Sequence, residues 1–172
     1  ELGRMFGMRS VMLFLSQFGI KSSTAVAIWK RWGTMSQRII EENPYLLCNE
    51  EIGLSFDDCE MIAQRLHIPP DSSYRIEAAL QFILRHNLSN GHTCLPQDKL
   101  LPTAQKLLGQ SEVMVEKELE TLLRRRQLIQ VLVNGRSYCY LPEYWQDERY
   151  IAERVLFMLH SDELAVTGSS PE

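Results

Sequence analysis

The sequence predicts a mainly α-helical chain: a tandem helix-hairpin-helix bundle followed by a winged-helix-like part with a small β-hairpin. Three observations lead there. Apolar residues recur at helical spacing through most of the 172 residues. Two helix pairs are joined by tight turns containing glycine, "FGIKSST" and "EIGLSFDD". Later, Asn134-Gly135 sits between two apolar strands, the strongest short-range signal for a β-hairpin.

In "MFGMRSVMLFLSQFG" the apolar Met8, Val11, Met12, Leu15 and Phe18 share one helix face. Gly19 ends that helix, because glycine takes positive φ without a Cβ clash. Ser22 or Ser23 is expected to cap the next helix, "STAVAIWKRW", with Ala25, Ile28, Trp29 and Trp32 facing inward. Gly33 stops it. Thr34 or Ser36 opens a short helix, "QRIIEEN", which Asn43-Pro44 breaks. "PYLLCNE" reads as another short helical turn. Ser55 then caps "FDDCEMIAQRL", where Asp57 and Asp58 suit the positive end of the helix dipole. Cys59, Ile62, Ala63 and Leu66 face inward. Residues 7–32 and 44–66 thus repeat one plan, weakly: helix, tight turn, helix.

"HIPPDSSY" is a rigid break, and residues 71–73 are expected to cap the next helix. The domain boundary is placed there, giving a tandem helix-hairpin-helix domain at residues 1–72. A winged-helix-like domain occupies residues 73–143, and a connecting helix and tail occupy residues 144–172. In "YRIEAALQFILRHNLSNG", Ile76, Ala79, Leu80, Ile83 and Leu84 form one face. "HTCLP" is a short extended piece. "QDKLLPTAQKLLG" is a helix strained, or begun late, at Pro102. Ser111 caps "EVMVEKELETLLRRR". "QLIQVLVNGRSYCYLP" gives two strands. Helix, strand, helix, helix, strand, strand is the layout of a winged helix, with its wing tip at residues 134–136. "EYWQDERYIAERVLFMLH" is a helix with Ile151, Val155, Met158 and Leu159 in line, and "SDELAVTGSSPE" reads as a loose end.

Net charge is -4, which argues against a surface that grips nucleic acid all over. Charge by segment says more. Residues 1–47 hold six Lys/Arg against three Asp/Glu, and residues 48–73 hold one against six. Residues 74–145 hold nine against seven, and residues 146–172 two against six. Phosphate contacts are therefore expected in the first and third segments.

A helix-hairpin-helix turn holds a phosphate through close backbone approach at glycine and the N–H groups that start the second helix. The usual pattern is Gly-apolar-Gly, a basic residue, and Ala four places after the second Gly. In Gly19-Ile20-Lys21-Ser22-Ser23-Thr24-Ala25, Lys21 replaces the second glycine and Ala25 is in place. With Lys30 and Arg31 the element is basic. It reads either as a phosphate site or as a structural turn with solvated lysines. In Gly53-Leu54-Ser55-Phe56-Asp57-Asp58-Cys59, Ser55 stands for the second glycine and Asp57 for the basic residue. Two carboxylates there repel a phosphate, so this turn reads as scaffold first and contact second. The third helix of the winged part carries Glu112, Glu116, Glu118 and Glu120, the wrong sign for a groove reader. Arg124, Arg125, Arg126 and the wing's Arg136 remain phosphate candidates, although cations also simply suit a helix C-terminus.

Catalytic patterns are absent from the sequence. G-x-x-x-x-G-K-[ST], G-x-S-x-G, H-E-x-x-H and G-x-G-x-x-G do not occur. Asp57 and Asp58 diverge by about 100° on a helix and do not share a face. Cys48, Cys59, Cys94 and Cys139 lack C-x-x-C spacing and read as buried thiols in a reducing cytoplasm. His92 and Cys94 alternate on the expected strand, where His92 reads as a buried, satisfied histidine. No metal ligand set is expected. The sequence holds neither a signal-peptide pattern nor an apolar run long enough to span a membrane. It opens without Met and is expected to be a piece of a longer protein.

The ordered set "FLSQFGIKSSTAVAIWKRWG", "IIEENPYLL", "EIGLSFDDCEMIAQRLHIPPDSSYRIEAAL", "NGHTCLPQDKLL" and "YCYLPEYWQDERYIAERV" resembles the N-terminal region of bacterial RecD-like DNA helicases. These are the exodeoxyribonuclease V alpha chain family with an extended, helix-hairpin-helix-containing N-terminus. The resemblance runs from about residue 10 to residue 160. It implies a non-catalytic module ahead of superfamily-one motor domains that move 5′ to 3′ on single-stranded DNA. It implies that ATP and Mg belong to those motors, and that this chain stops before their phosphate loop. The partners it implies are DNA, held weakly through the first turn, the motor domains, and another repair protein. The family's hairpin motifs map onto Gly19 to Ala25 and Gly53 to Cys59, with departures at Lys21, Ser55 and Asp57.

Overall fold

The computed structural model describes residues 2–167, with side-chain surroundings for residues 7–156. It is mainly helical with one small antiparallel sheet, as expected, and divides into two compact units, Glu1–Phe82 and Ile83–Glu172. The division falls inside one continuous helix.

The first unit contains α1 (Leu2–Ser16), α2 (Ser22–Trp32), α3 (Ser36–Glu42), α4 (Phe56–Arg65) and the start of α5 (Ser73–Ser89). Single 3-10 turns at Gly33–Met35 and Pro44–Leu47 flank α3. Its core draws on the predicted apolar faces, with Leu15, Ile28, Ile62, Ile76 and Leu80 fully buried, and adds Ile40 and Leu47, while Met8, Met12 and Leu66 are half-buried. Trp29 and Trp32 are only half-buried. Ser36 does not cap α3 as expected. It is the first helical residue, it is buried, and its hydroxyl donates back to the Gly33 carbonyl at 2.6 Å.

A polar network crosses this unit. The Arg75 guanidinium meets both oxygens of Glu60, with Nε–Oε1 and Nη2–Oε2 each 2.8 Å. The Tyr45 hydroxyl donates to Glu60 Oε1 at 2.6 Å, and Arg75 Nη1 donates to the Pro70 carbonyl at 2.9 Å. The pair is largely out of water, with side chains 14% and 21% exposed for Arg75 and Glu60. Beside it Tyr45 stacks on Phe56 and Phe56 on Phe82, with centroids 5.8 Å and 5.2 Å apart.

In the second unit α5 ends at Ser89, and β1 (Cys94–Pro96), α6 (Gln97–Leu108), α7 (Glu112–Arg124), β2 (Ile129–Val133), β3 (Arg136–Tyr140) and α8 (Pro142–Thr167) come after it. The sheet order is β1-β3-β2, antiparallel throughout. Both turn residues of the β2–β3 hairpin have positive φ, 51° at Asn134 and 77° at Gly135, the geometry of a type I′ turn. Leu100, Ala104, Leu108, Val115, Leu119, Leu122, Leu128 and Cys139 form the core.

Several local expectations differ. α6 runs unbroken through Pro102, which lies on its exposed side, so the missing N–H falls where water reaches the helix. His92 is exposed and precedes β1, because the strand begins only at Cys94. Ser111 takes the N-cap position of α7 without a side-chain cap bond. α8 continues to Thr167, past the expected start of the loose end, and residues 168–172 lie outside the described residues. Cys59 and Cys139 are buried, while Cys48 and Cys94 are half-buried. The neighbouring Cys48 thiol and burial hold the Cys59 thiol protonated well above its usual range. Burial pushes the Cys139 thiol up to about 11.

Two helices end on non-glycine residues in the left-handed region. After α4, His67 has φ 57°, and the Ile68 N–H reaches back to the Ala63 carbonyl at 2.9 Å. After α7, Arg126 has φ 56°, and the Gln127 N–H reaches the Leu122 carbonyl at 2.9 Å. Both are helix-closing Schellman geometry, normally built on glycine.

Replacing Glu60 by Gln should destabilise the first unit by about 2–3 kcal/mol, since it removes the carboxylate charge that faces the mostly buried Arg75 guanidinium. Tyr45→Phe should cost about 1 kcal/mol. Denaturant unfolding measures both, and a double-mutant cycle without coupling would show that the three side chains do not act together. Burial alone would raise the Glu60 carboxyl, but the Arg75 and Tyr45 hydrogen bonds outweigh it and hold it below the usual carboxylate range. A depressed folded value means the contribution is complete above the unfolded carboxylate pKa and is lost as pH falls through the folded one. Wild type should therefore lose stability more steeply than Glu60→Gln below about pH 4.5; equal slopes refute this. His67→Gly should raise stability by about 0.5–1 kcal/mol, relieving the left-handed backbone. A lower melting temperature would contradict it.

Candidate nucleic-acid interface

The first turn is set by the end of α1. The Gly19 N–H bonds the Ser16 carbonyl at 3.0 Å and the Ile20 N–H the Leu15 carbonyl at 3.4 Å. This Schellman closure requires positive φ at Gly19, and φ there is 73°. Lys21 then occupies the N-cap position of α2 in extended conformation, and the Ala25 N–H closes onto its carbonyl at 3.0 Å. Neither Ser22 nor Ser23 caps the helix as expected. Both lie inside it, and no side chain caps the N-terminus. The start of α2 therefore presents backbone N–H groups beside an exposed lysine.

The second turn is built differently. Its first arm is only the 3-10 turn Pro44–Leu47. Asn49 organises the loop: its side-chain oxygen accepts from the Ile52 N–H at 2.8 Å, and its carbonyl accepts from the Gly53 N–H at 2.7 Å. Gly53 has φ 74°. Ser55 caps α4 as expected, and Asp58 completes a capping box. The Ser55 hydroxyl accepts from the Asp58 N–H at 3.1 Å and donates to Asp58 Oδ2 at 2.7 Å. The Asp58 carboxylate thus sits at the helix start, where a phosphate would approach, and the capping box occupies two of its N–H groups.

Both turns line one cleft of about 280 Å³. Gly19, Ile20, Lys21 and Thr24 come from one side, and Gly53, Leu54, Asp58 and Met61 from the other. Arg65 Nη1 donates to the Gln17 carbonyl at 2.6 Å, tying the end of α4 to the end of α1. Lys30 is exposed in the last turn of α2. Arg31 lies over the Trp32 ring and pairs with Glu51 of the second turn, so an anion at Arg31 competes with a carboxylate. Sequence reasoning missed Glu51 and Asn49, because neither has a distinctive spacing.

In the second unit the arginines do not form one helical patch. Arg124 ends α7 and donates to the Thr121 hydroxyl at 3.1 Å. Arg125 is the C-cap, and the positive φ at Arg126 turns the chain away. Arg136 makes two bonds to Asp98, 3.0 and 2.8 Å, over the Tyr138 ring. The Arg136 hydrogen bond holds the Asp98 carboxyl below its usual range. Glu112, Glu116 and Glu120 are exposed along α7, and Glu118 is half-buried.

Among the described residues no three His, Cys, Asp or Glu side chains gather as a metal site, and no helix is long and apolar enough to cross a membrane. The paired turns are the distinctive feature of the first unit, and they have a counterpart among known families. Residues 4–94, just over half the chain and spanning both turns, match the model of the ATP-dependent RecD2 DNA helicase HHH domain, and the chain accordingly belongs to that helicase family.

Proposed function

We propose that this chain is a non-catalytic N-terminal accessory module of a superfamily-one 5′–3′ DNA helicase, and that it helps engage single-stranded or forked DNA during repair or recombination. The domain boundary is proposed at residues 72 and 73, with a winged-helix-like domain to residue 143. The motor domains of the parent chain supply the ATP and Mg chemistry. The observation that carries the DNA reading is the contrast between the two turns. α4 begins with its own carboxylate cap, whereas α2 begins without a side-chain cap and with Lys21 at the N-cap position. An external phosphate is favoured only at the second kind of helix start. Gly19, Ile20, Lys21, Ser22 and Ser23 form that contact, with Lys30 supporting it, while Gly53 lines the cleft and Ser55 caps α4 beside it.

A second reading has its own support. The capped, acidic second turn and the glutamates along α7 favour docking on a basic surface of the motor or a partner protein, without DNA contact.

Fluorescence anisotropy with a labelled oligothymidylate at low salt separates the two. The 172-residue chain should bind weakly, and Lys21→Glu with Lys30→Gln should weaken binding at least about fivefold and reduce the salt slope by about one to two. A negative charge at a helix N-terminus suits the helix dipole, and an unchanged circular dichroism spectrum separates the loss from unfolding. Absence of binding, together with co-purification with the motor fragment, would replace the first reading by the second.

A further inference from the structure

The sheet of the second unit has two edges, and they are not alike. β1 is three residues long and ends in Pro96, a short and guarded edge. β2 is longer, reads Ile129-Gln130-Val131-Leu132-Val133, and among the described residues pairs with β3 alone. It carries no charge and no proline. Its register runs without a bulge from Ile129↔Tyr140 to Val133↔Arg136. An outer strand presents unpaired N–H and C=O groups, and proteins normally blunt it with the features β2 lacks. β2 instead exposes apolar side chains, with Leu132 70% and Val133 45% accessible.

Along the chain, the charges that flank this edge are positive. Residues 124–136 contain four arginines and no carboxylate. Arg136 pairs with Asp98, Arg124 also donates to the Thr121 hydroxyl, and Arg124, Arg125 and Arg126 are exposed at the entry to β2. The nearest carboxylate along the chain, Glu120, lies one turn earlier on α7.

We propose that β2 is a docking edge for an extended, acidic-ended segment of a partner protein, which adds to the sheet as a fourth strand. Antiparallel addition matches the rest of the sheet and forms the better-aligned ladder. It places the C-terminal end of the incoming strand beside Arg124, Arg125 and Arg126. The fitting segment has alternating apolar residues, one covering Leu132, followed by Asp or Glu. Main-chain bonds supply affinity, and the apolar contact and the arginines set register and direction. This site is separate from the paired turns and does not depend on their binding DNA.

The test uses the 172-residue chain and two fluorescein-labelled peptides, "TVTVTVDDD" and its reverse, "DDDVTVTVT". The first should bind. Leu132→Lys, a substitution at an exposed side chain, should weaken it at least about tenfold with an unchanged circular dichroism spectrum. Arg124→Glu with Arg126→Glu should weaken it about fivefold, and the reversed peptide should bind wild type more weakly than the first. Absence of peptide binding, or equal binding by wild type and Leu132→Lys, overturns the proposal. So does a concentration-dependent dimer that Leu132→Lys abolishes in sedimentation, which would make a second copy the occupant. Loss of oligothymidylate binding in Leu132→Lys without any peptide binding would reassign the edge to nucleic acid and also overturn it.

Discussion

Glu60 lies on a side of α4 that is mostly withdrawn from water, and a carboxylate there is stable only because its partners meet it. Arg75 supplies a two-pronged guanidinium from the start of α5, and Tyr45 supplies a hydroxyl from the 3-10 turn. Arg75 also holds the Pro70 carbonyl inside the proline break. One charge pair thus joins four successive pieces of the first unit: the 3-10 turn, α4, the break and α5. The stack of Tyr45, Phe56 and Phe82 adds apolar contact along the same line. The second turn, residues 48–55, is therefore held from both sides. Tyr45 precedes it, Glu60 comes after it, and the two side chains are bonded to each other.

That constraint separates the two turns in kind. A turn held by Tyr45 and Glu60, filled by Asn49 and closed by the Ser55–Asp58 capping box, meets several of its own polar groups with its own side chains. The first turn is shaped by the helix closure at Gly19 and by Arg65 reaching the Gln17 carbonyl, without a side-chain cap on α2. Its second helix starts with backbone N–H groups and a lysine. Repetition of one motif has given two different chemistries, because four N–H groups at a helix start must find an acceptor somewhere. At the second turn the capping box supplies acceptors to the Ser55 and Asp58 N–H groups, and at the first turn no side chain caps the helix.

Much of this was legible from residues alone. The face Ile76, Ala79, Leu80, Ile83 and Leu84 is buried throughout, since helical periodicity reports burial directly. Asn134-Gly135 forms the expected I′ hairpin, because few other dipeptides accept two consecutive positive φ angles. The RecD-like resemblance, carried by the ordered motifs, agrees with the family match over residues 4–94. The misreadings have a common cause. Ser22, Ser23 and Ser36 are good capping residues, but capping depends on where the preceding turn delivers the chain. His67 and Arg126 close helices with positive φ, a state that side-chain identity did not announce. Pro102 is tolerated because it faces solvent.

The sequence by itself determined most elements and most of their apolar faces, the acidic character of the second turn and the basic character of the first. Those rest on local spacing and local charge, which need no knowledge of distant residues. Ile151 and Val155, read as in line on α8, are by contrast exposed, and Met158 and Leu159 lie outside the residues with described side chains. Tertiary structure alone decided which charges pair across the chain. Arg75 with Glu60, Arg31 with Glu51 and Arg136 with Asp98 are all pairs distant in sequence. Only the folded chain brings such groups within hydrogen-bonding reach. It also selected β2, rather than β1, as the longer open edge, because strand order depends on which strands meet and not on what each one contains.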